Sequence, residues 1–124
     1  MKAKTILIIS IILLLCTLTA CAGAGDWTYD KLPADYEVWR INSEEKVLGQ
    51  RDGAILHHTI DESISEFCYN DSFIAVKAAD DYYIVKAEDD TVIGPLTEDE
   101  FNALHIGEMC DWISTDRMPD GAHS

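Results

Sequence analysis

Between Tyr36 and Ile93 apolar side chains recur in short runs, often at every second position, and residues that favour turns separate the runs. Period two is the mark of strands, so this stretch predicts a β-rich domain. Pro33 sets an extended approach to the first strand, residues 36–41, where apolar and polar residues mix at period two in Tyr36-Glu37-Val38-Trp39-Arg40-Ile41. A second strand is predicted at 46–50, with 42–45 as its turn, and a third at 54–58 after the turn signal Asp52-Gly53. The clearest runs are 64–69, 73–78 and 82–87, divided by Asn70-Asp71 and Asp80-Asp81, which predicts a meander of antiparallel hairpins. Thr91-Val92-Ile93 extends it after Glu88-Asp89-Asp90, and Gly94-Pro95 is expected to end the last strand.

In the central strands both parities are apolar: Ile74 and Val76 against Phe73 and Ala75, then Tyr82 and Ile84 against Tyr83 and Val85. A sheet with two apolar faces must be covered on both. A helix opening at Thr97 is the expected cover on one side. Thr97 with Glu100 three residues on forms a capping box, Leu96 is placed to staple onto Phe101, and Glu98 and Asp99 suit the positive end of the helix dipole. Phe101, Leu104 and His105 are expected to share a stripe, and Gly107 to stop the helix. Met109, Cys110, Trp112 and Ile113 suggest one more short packed element. The fold class read from these patterns is α+β: mainly an antiparallel β-meander sheet with one short C-terminal helix packed on it.

The amino-terminal pattern differs. Lys2 and Lys4 precede a nearly unbroken Ile/Leu run, the charged and apolar regions of an export signal. With Ser10, Cys16, Thr17 and Thr19 interrupting it, residues 5–20 fall short of the ~20 mainly apolar residues that a spanning helix needs. The run ends in Leu18-Thr19-Ala20-Cys21, which resembles a bacterial lipobox: small residues admit a signal peptidase, and the Cys21 thiol takes a diacylglyceryl group. The alternative is ordinary secretory cleavage near Ala22 or Ala24, with Cys21 incidental. The reading divides the chain into a lipoprotein signal peptide at 1–20, a lipidated N-terminus and tether at 21–30, one globular domain at 31–116 and a flexible tail at 117–124.

Cleavage before Cys21 discards Cys16 with Lys2 and Lys4, so the formal charge moves from −14 to −16. So acidic a domain repels nucleic acid and anionic headgroups; the partners it admits are the membrane, through the lipid on Cys21, a basic protein or peptide, and divalent cations. Solubility alone also accounts for the charge. Cys68 and Cys110 remain, either as a possible disulfide suited to an exported domain or as two buried thiols.

No catalytic, cofactor-binding or metal site is read. His57 and His58 are adjacent on a predicted strand, so their rings point to opposite faces and do not chelate one ion; a metal site with His105 and Cys110 would require tertiary convergence. Asp61-Glu62, Asp80-Asp81, Glu88-Asp89-Asp90 and Glu98-Asp99-Glu100 lack the alternating spacing of a calcium loop, and they fall at turns or a helix start, which explains them. G-x-S-x-G, H-E-x-x-H and G-x-x-x-x-G-K are all absent from the sequence, and no base is paired with either cysteine, which points to a non-enzymatic role. Trp27, Tyr29 and the other aromatics read mainly as core, with Trp27 and Tyr29 candidates for an exposed binding face.

Asp26-Trp27-Thr28-Tyr29 leading to Leu32-Pro33 and Tyr36, then Ser65-Glu66-Phe67, Tyr69-Asn70-Asp71, Phe73 to Lys77, Tyr82 to Val85 and Gly94-Pro95-Leu96-Thr97 with Phe101, resemble a family of small lipoproteins of uncharacterised function, chiefly from Gram-positive bacteria. The resemblance spans residues 26–104 and departs from the family pattern in a shorter path between the Ile74 and Tyr82 strands and in the Cys68, Cys110 pair. It implies an intact compact domain anchored on the outer face of the cytoplasmic membrane, and it transfers no catalytic residues. The expected function is a membrane-anchored extracytoplasmic lipoprotein that binds something; the rival is an immunity or inhibitor lipoprotein using an acidic face against a basic toxin or lytic enzyme.

Overall fold

The computed structural model describes residues 26–124. Among these residues nine strands form two antiparallel sheets. β1 (Trp27–Tyr29), β2 (Tyr36–Arg40), β3 (Lys46–Asp52) and β4 (Ile55–Ile60) pair in sequence order. The second sheet runs β8 (Val92–Leu96), β7 (Asp81–Lys86), β6 (Phe73–Ala78), β5 (Ile64–Tyr69), β9 (Ile113–Ser114). One α-helix among the described residues, α1 (Glu98–Ala103), follows β8. The α+β class with its antiparallel meander is therefore observed, and the meander divides between β4 and β5 into two stacked sheets.

The two parities of the central strands now have separate destinations. Ile74, Val76 and Val85 face the first sheet and close on Trp27, Tyr29, Tyr36, Val38, Leu48 and Ile60, with Ile64 and Phe67. Phe73, Ala75 and Ile84 face the other way and pack with Cys68 and Phe101, flanked by Tyr82, Leu96 and Trp112. Each fully buried side chain of this size contributes about 1.5–3 kcal/mol, so both faces of the second sheet are needed for stability. The layer order is sheet, sheet, helix.

Polar bonds fix how the sheets stack. Tyr29 and Tyr69 share a hydrogen bond of 2.6 Å between hydroxyls, and Tyr36 donates to Asp90 Oδ1 at 2.8 Å. Burial first, then the hydrogen bond to Tyr69 or Asp90, raises the proton affinity of Tyr29 and Tyr36 well above that of free tyrosine. At Thr97 the capping box is complete: its hydroxyl accepts from the Glu100 amide while the Glu100 carboxylate accepts from the Thr97 amide.

Several local expectations are corrected. Pro33 opens a 3₁₀ turn, Pro33–Asp35, rather than an extended lead, with Ala34 and Asp35 at positive φ. β8 runs through Gly94-Pro95 to Leu96; it is an edge strand, and there the missing proline N–H costs no ladder bond. α1 stops at Ala103, where His105 takes the left-handed conformation expected of Gly107, and Leu104 points out instead of joining a buried stripe. The tether boundary moves as well. Trp27 and Tyr29, placed in or near a lead-in and weighed as an exposed binding face, form β1 and are 4% exposed each. Residues 117–124, expected to be a flexible tail, return to the fold: His123 and Thr28 exchange backbone hydrogen bonds of 2.7 and 2.9 Å. Upstream of that tail, buried Thr115 donates its hydroxyl to Ile64 O and its amide to Ser65 O, which seats the C-terminal segment against β5.

Candidate functional site: the outer face and free edge of the first sheet

The inner side chains of the first sheet fill the core, so those at alternate positions must face outward. The register aligns Thr28, Trp39 and Val47 in one row, Glu37, Gly49 and His58 in a second, and Arg51 with Leu56 in a third. No helix or further sheet packs on this face among the described residues.

Glu37 is the one charged residue buried among the described residues. Arg51 Nε donates to Glu37 Oε2 at 2.6 Å, and the guanidinium lies 4.8 Å from the centre of the Trp39 ring. The stack compensates a carboxylate taken largely from water, since an unpaired one would be costly. Gly49 makes room beside it. A Cβ there would approach His57 O and Leu56 Cγ to 2.8 Å, so only glycine lets Leu56 lie across the bulged junction of β3 and β4.

Beside this stack lies a cleft of about 540 Å³ walled by Thr28, Trp39, Ile41, Leu56 and His58. Trp27 and Trp39 also border it, and both indole N–H groups are buried without a hydrogen-bond partner among the described residues. One wall belongs to β4, the outermost strand, whose far edge pairs with no strand among the described residues. Ile55 on β4 is 60% exposed.

Two larger clefts border the second sheet among the described residues. One, about 560 Å³, is bounded by Phe73, Ile84, Lys86, Ile93 and Ile106. The other, about 580 Å³, joins Glu66, Asn102, His105 and Glu108 to the Tyr82, Phe101, Trp112 cluster. Its ring faces are largely spent on one another: Tyr82 stacks on Phe101 at 4.5 Å, and Trp112 meets both edge-on. This is a second core more than a stacking platform.

Cys21 lies outside the described residues. The sulfurs of Cys68 on β5 and Cys110 after α1 are bonded, with Cα atoms 5.5 Å apart. His57 and His58 occupy neighbouring positions of β4, opposite Gln50 and Gly49, so they stand on opposite faces; His57 reaches Asp52 at 3.7 Å. His105 instead meets Glu108 at 3.5 Å, beyond α1. No group of three or more His, Cys, Asp or Glu side chains gathers as a metal site among the described residues. Asp61-Glu62 lies in the crossing between the sheets, Asp80 in a hairpin turn with Asp81 opening β7, Glu88-Asp89-Asp90 between β7 and β8, and Glu98-Asp99-Glu100 in the first turn of α1; Asp89 shows the structural use, since hydrogen bonds with Thr91 hold its carboxyl below the usual range. Glu37, Trp39 and Arg51 were missed as a unit. Glu37 and Trp39 have the i, i+2 spacing of one strand face, but Arg51 joins them only through the β2–β3 register.

No family model, curated protein or solved structure matches this chain.

Proposed function

We propose that this chain is an extracytoplasmic lipoprotein, held to the cell membrane by an acylated Cys21 and acting by binding rather than by catalysis. The carrying observation is Leu18-Thr19-Ala20-Cys21 placed directly after a lysine-led apolar run. Two acyl chains give stable anchoring where one gives only marginal binding. Four residues, 22–25, lie between Cys21 and Asp26, and the five Cα steps reach at most about 18 Å, so the domain would stand close over the bilayer. The resemblance to small Gram-positive lipoproteins supports the same reading.

The second reading, an immunity or inhibitor lipoprotein against a basic toxin or lytic enzyme, is favoured by the mature charge of −16. A toxin gene next door and a salt-sensitive capture of a basic protein would support it.

Cys21→Ala is the test. The substitution is expected to release the protein from the membrane fraction, and the mass of the unmutated protein to include its acyl chains. Retention of the variant in membranes, with no acyl mass on the unmutated form, overturns the reading.

A further inference from the structure

The two sheets have four edges, and three are guarded. β1 is closed by the His123 bridge. β9 is two residues long, and β8 carries Pro95 next to Gly94 at φ 138. Short length, proline and a covering segment are the usual means of keeping an edge from pairing with another chain. Among the described residues β4 has none of them: six residues, Ile-Leu-His-His-Thr-Ile, without proline or lysine. Such an edge is a ready template for an added strand.

The backbone shows which groups are on offer. Asp52 and Ile55 flank the two-residue turn Gly53-Ala54, so they are a hydrogen-bonded pair; by alternation Gln50 and His57 are the next. The N–H and C=O groups of Leu56 and His58 therefore point away from β3, toward the open edge. Their side chains, on the outer face, also wall the cleft beside Trp39.

Charge decides between occupants. The strand is flanked by Asp52 before it and Asp61-Glu62 after it, within a chain of net charge −14; of the cations nearby, Arg51, opposite Leu56, is held by Glu37, and Arg40 borders the cleft. A second copy would set two such edges against each other; a cationic segment would be drawn in.

We propose that β4 docks an extended, basic polypeptide segment as an added strand, its main chain bonded to Leu56 and His58, apolar side chains over Leu56 and cationic ones toward Asp52, Asp61 and Glu62. The proposal deepens the binding role above by naming the partner's chemistry. It is separable from anchoring, because peptide binding is measured in detergent whether or not Cys21 is acylated.

The test uses the full chain in detergent and a blocked octapeptide of alternating Lys and Val. A Glu/Val alternating peptide and a peptide with Lys and Val in separate blocks serve as comparators. The alternating basic peptide is expected to bind about tenfold or more tightly than either comparator. His58→Pro removes an outward N–H without touching the β3 ladder and should weaken binding about tenfold, whereas His58→Ala stays within about twofold. Should the proline variant misfold, amide hydrogen exchange at Leu56 and His58 in the unmutated protein gives the answer, since it should slow about tenfold with peptide bound. Equal binding of the three peptides, undiminished binding by a folded His58→Pro, or peptide binding with unchanged exchange at Leu56 and His58 overturns the proposal. So does a dimer of the chain that His58→Pro dissolves, which would make the occupant a second copy.

Discussion

The hydroxyl of Tyr36, on β2 of the first sheet, donates to the carboxylate of Asp90, in the turn between β7 and β8 of the second, at 2.8 Å. Gln50 Nε2 reaches the same carboxylate oxygen at 3.1 Å, so one acidic turn residue ties two strands of the opposite sheet. Tyr36 is 1% exposed, and a hydrogen bond to a charged group from so dry a position contributes about 1.5–3 kcal/mol. Tyr36→Phe should therefore lower the urea unfolding free energy by roughly that amount.

The same bond has a pH signature. The fold favours the neutral phenols of Tyr36 and Tyr29, whose folded proton affinities are raised, whereas unfolded tyrosines ionise near about pH 10. Their contribution is complete below about pH 10 and is lost as pH rises from there through the elevated folded values. Urea midpoints measured from about pH 8 to about pH 11 should fall at the alkaline end, and less steeply in Tyr36→Phe.

Arg51 and Glu37 should behave as a unit. Arg51→Met leaves a carboxylate with a side chain only 11% exposed beside Trp39; the arginine itself is about a third exposed, so the cost is about 1–3 kcal/mol rather than that of a deeply buried pair. Adding Glu37→Gln removes the stranded charge. The double variant should be more stable than the sum of the single losses implies, as chemical denaturation in a double-mutant cycle will show.

The Cys68–Cys110 bond closes a separation of 42 positions and holds the segment after α1 against β5. In the chain-entropy account such a loop contributes about 2–4 kcal/mol. Alkylation with and without reductant should therefore label the pair only after reduction. Cys68→Ala with Cys110→Ala should lower the melting temperature and speed amide exchange first around Ile106–Glu108.

Local rules made much of the fold readable in advance. Tyr36 to Arg40, Ile64 to Tyr69 and Phe73 to Ala78 announce themselves as strands because period two, β-branched side chains and bounding turn residues agree. Thr97 with Glu100 announces the helix start for the same reason. Its end is not legible, because His105 adopts a left-handed conformation that residue type alone assigns to Gly107. Pro95 looked like a strand terminator, and only its place on an edge lets β8 pass through it. The candidate site was less legible. His57 and His58 diverge by strand alternation, yet nothing local marks β4 as the unguarded edge among the described residues, since guarding depends on where His123 and Pro95 fall in space.

By itself the sequence determined the strongly acidic composition, the antiparallel meander and the two-faced apolar strands that demanded cover. These follow from composition and from spacings of two to four residues, where the chain interacts with itself locally. Tertiary structure alone decided that Asp61-Glu62-Ser63 is a crossing between sheets and not another hairpin turn, with Ile60 and Ile64 entering one core from opposite sheets. It also decided that residues 117–124 close one edge, and that Glu37, Arg51 and Trp39 meet beside the open one. The reason is physical: a turn of three polar residues serves either connection, and the choice rests on which distant strands bury the most apolar surface and satisfy the most backbone groups together.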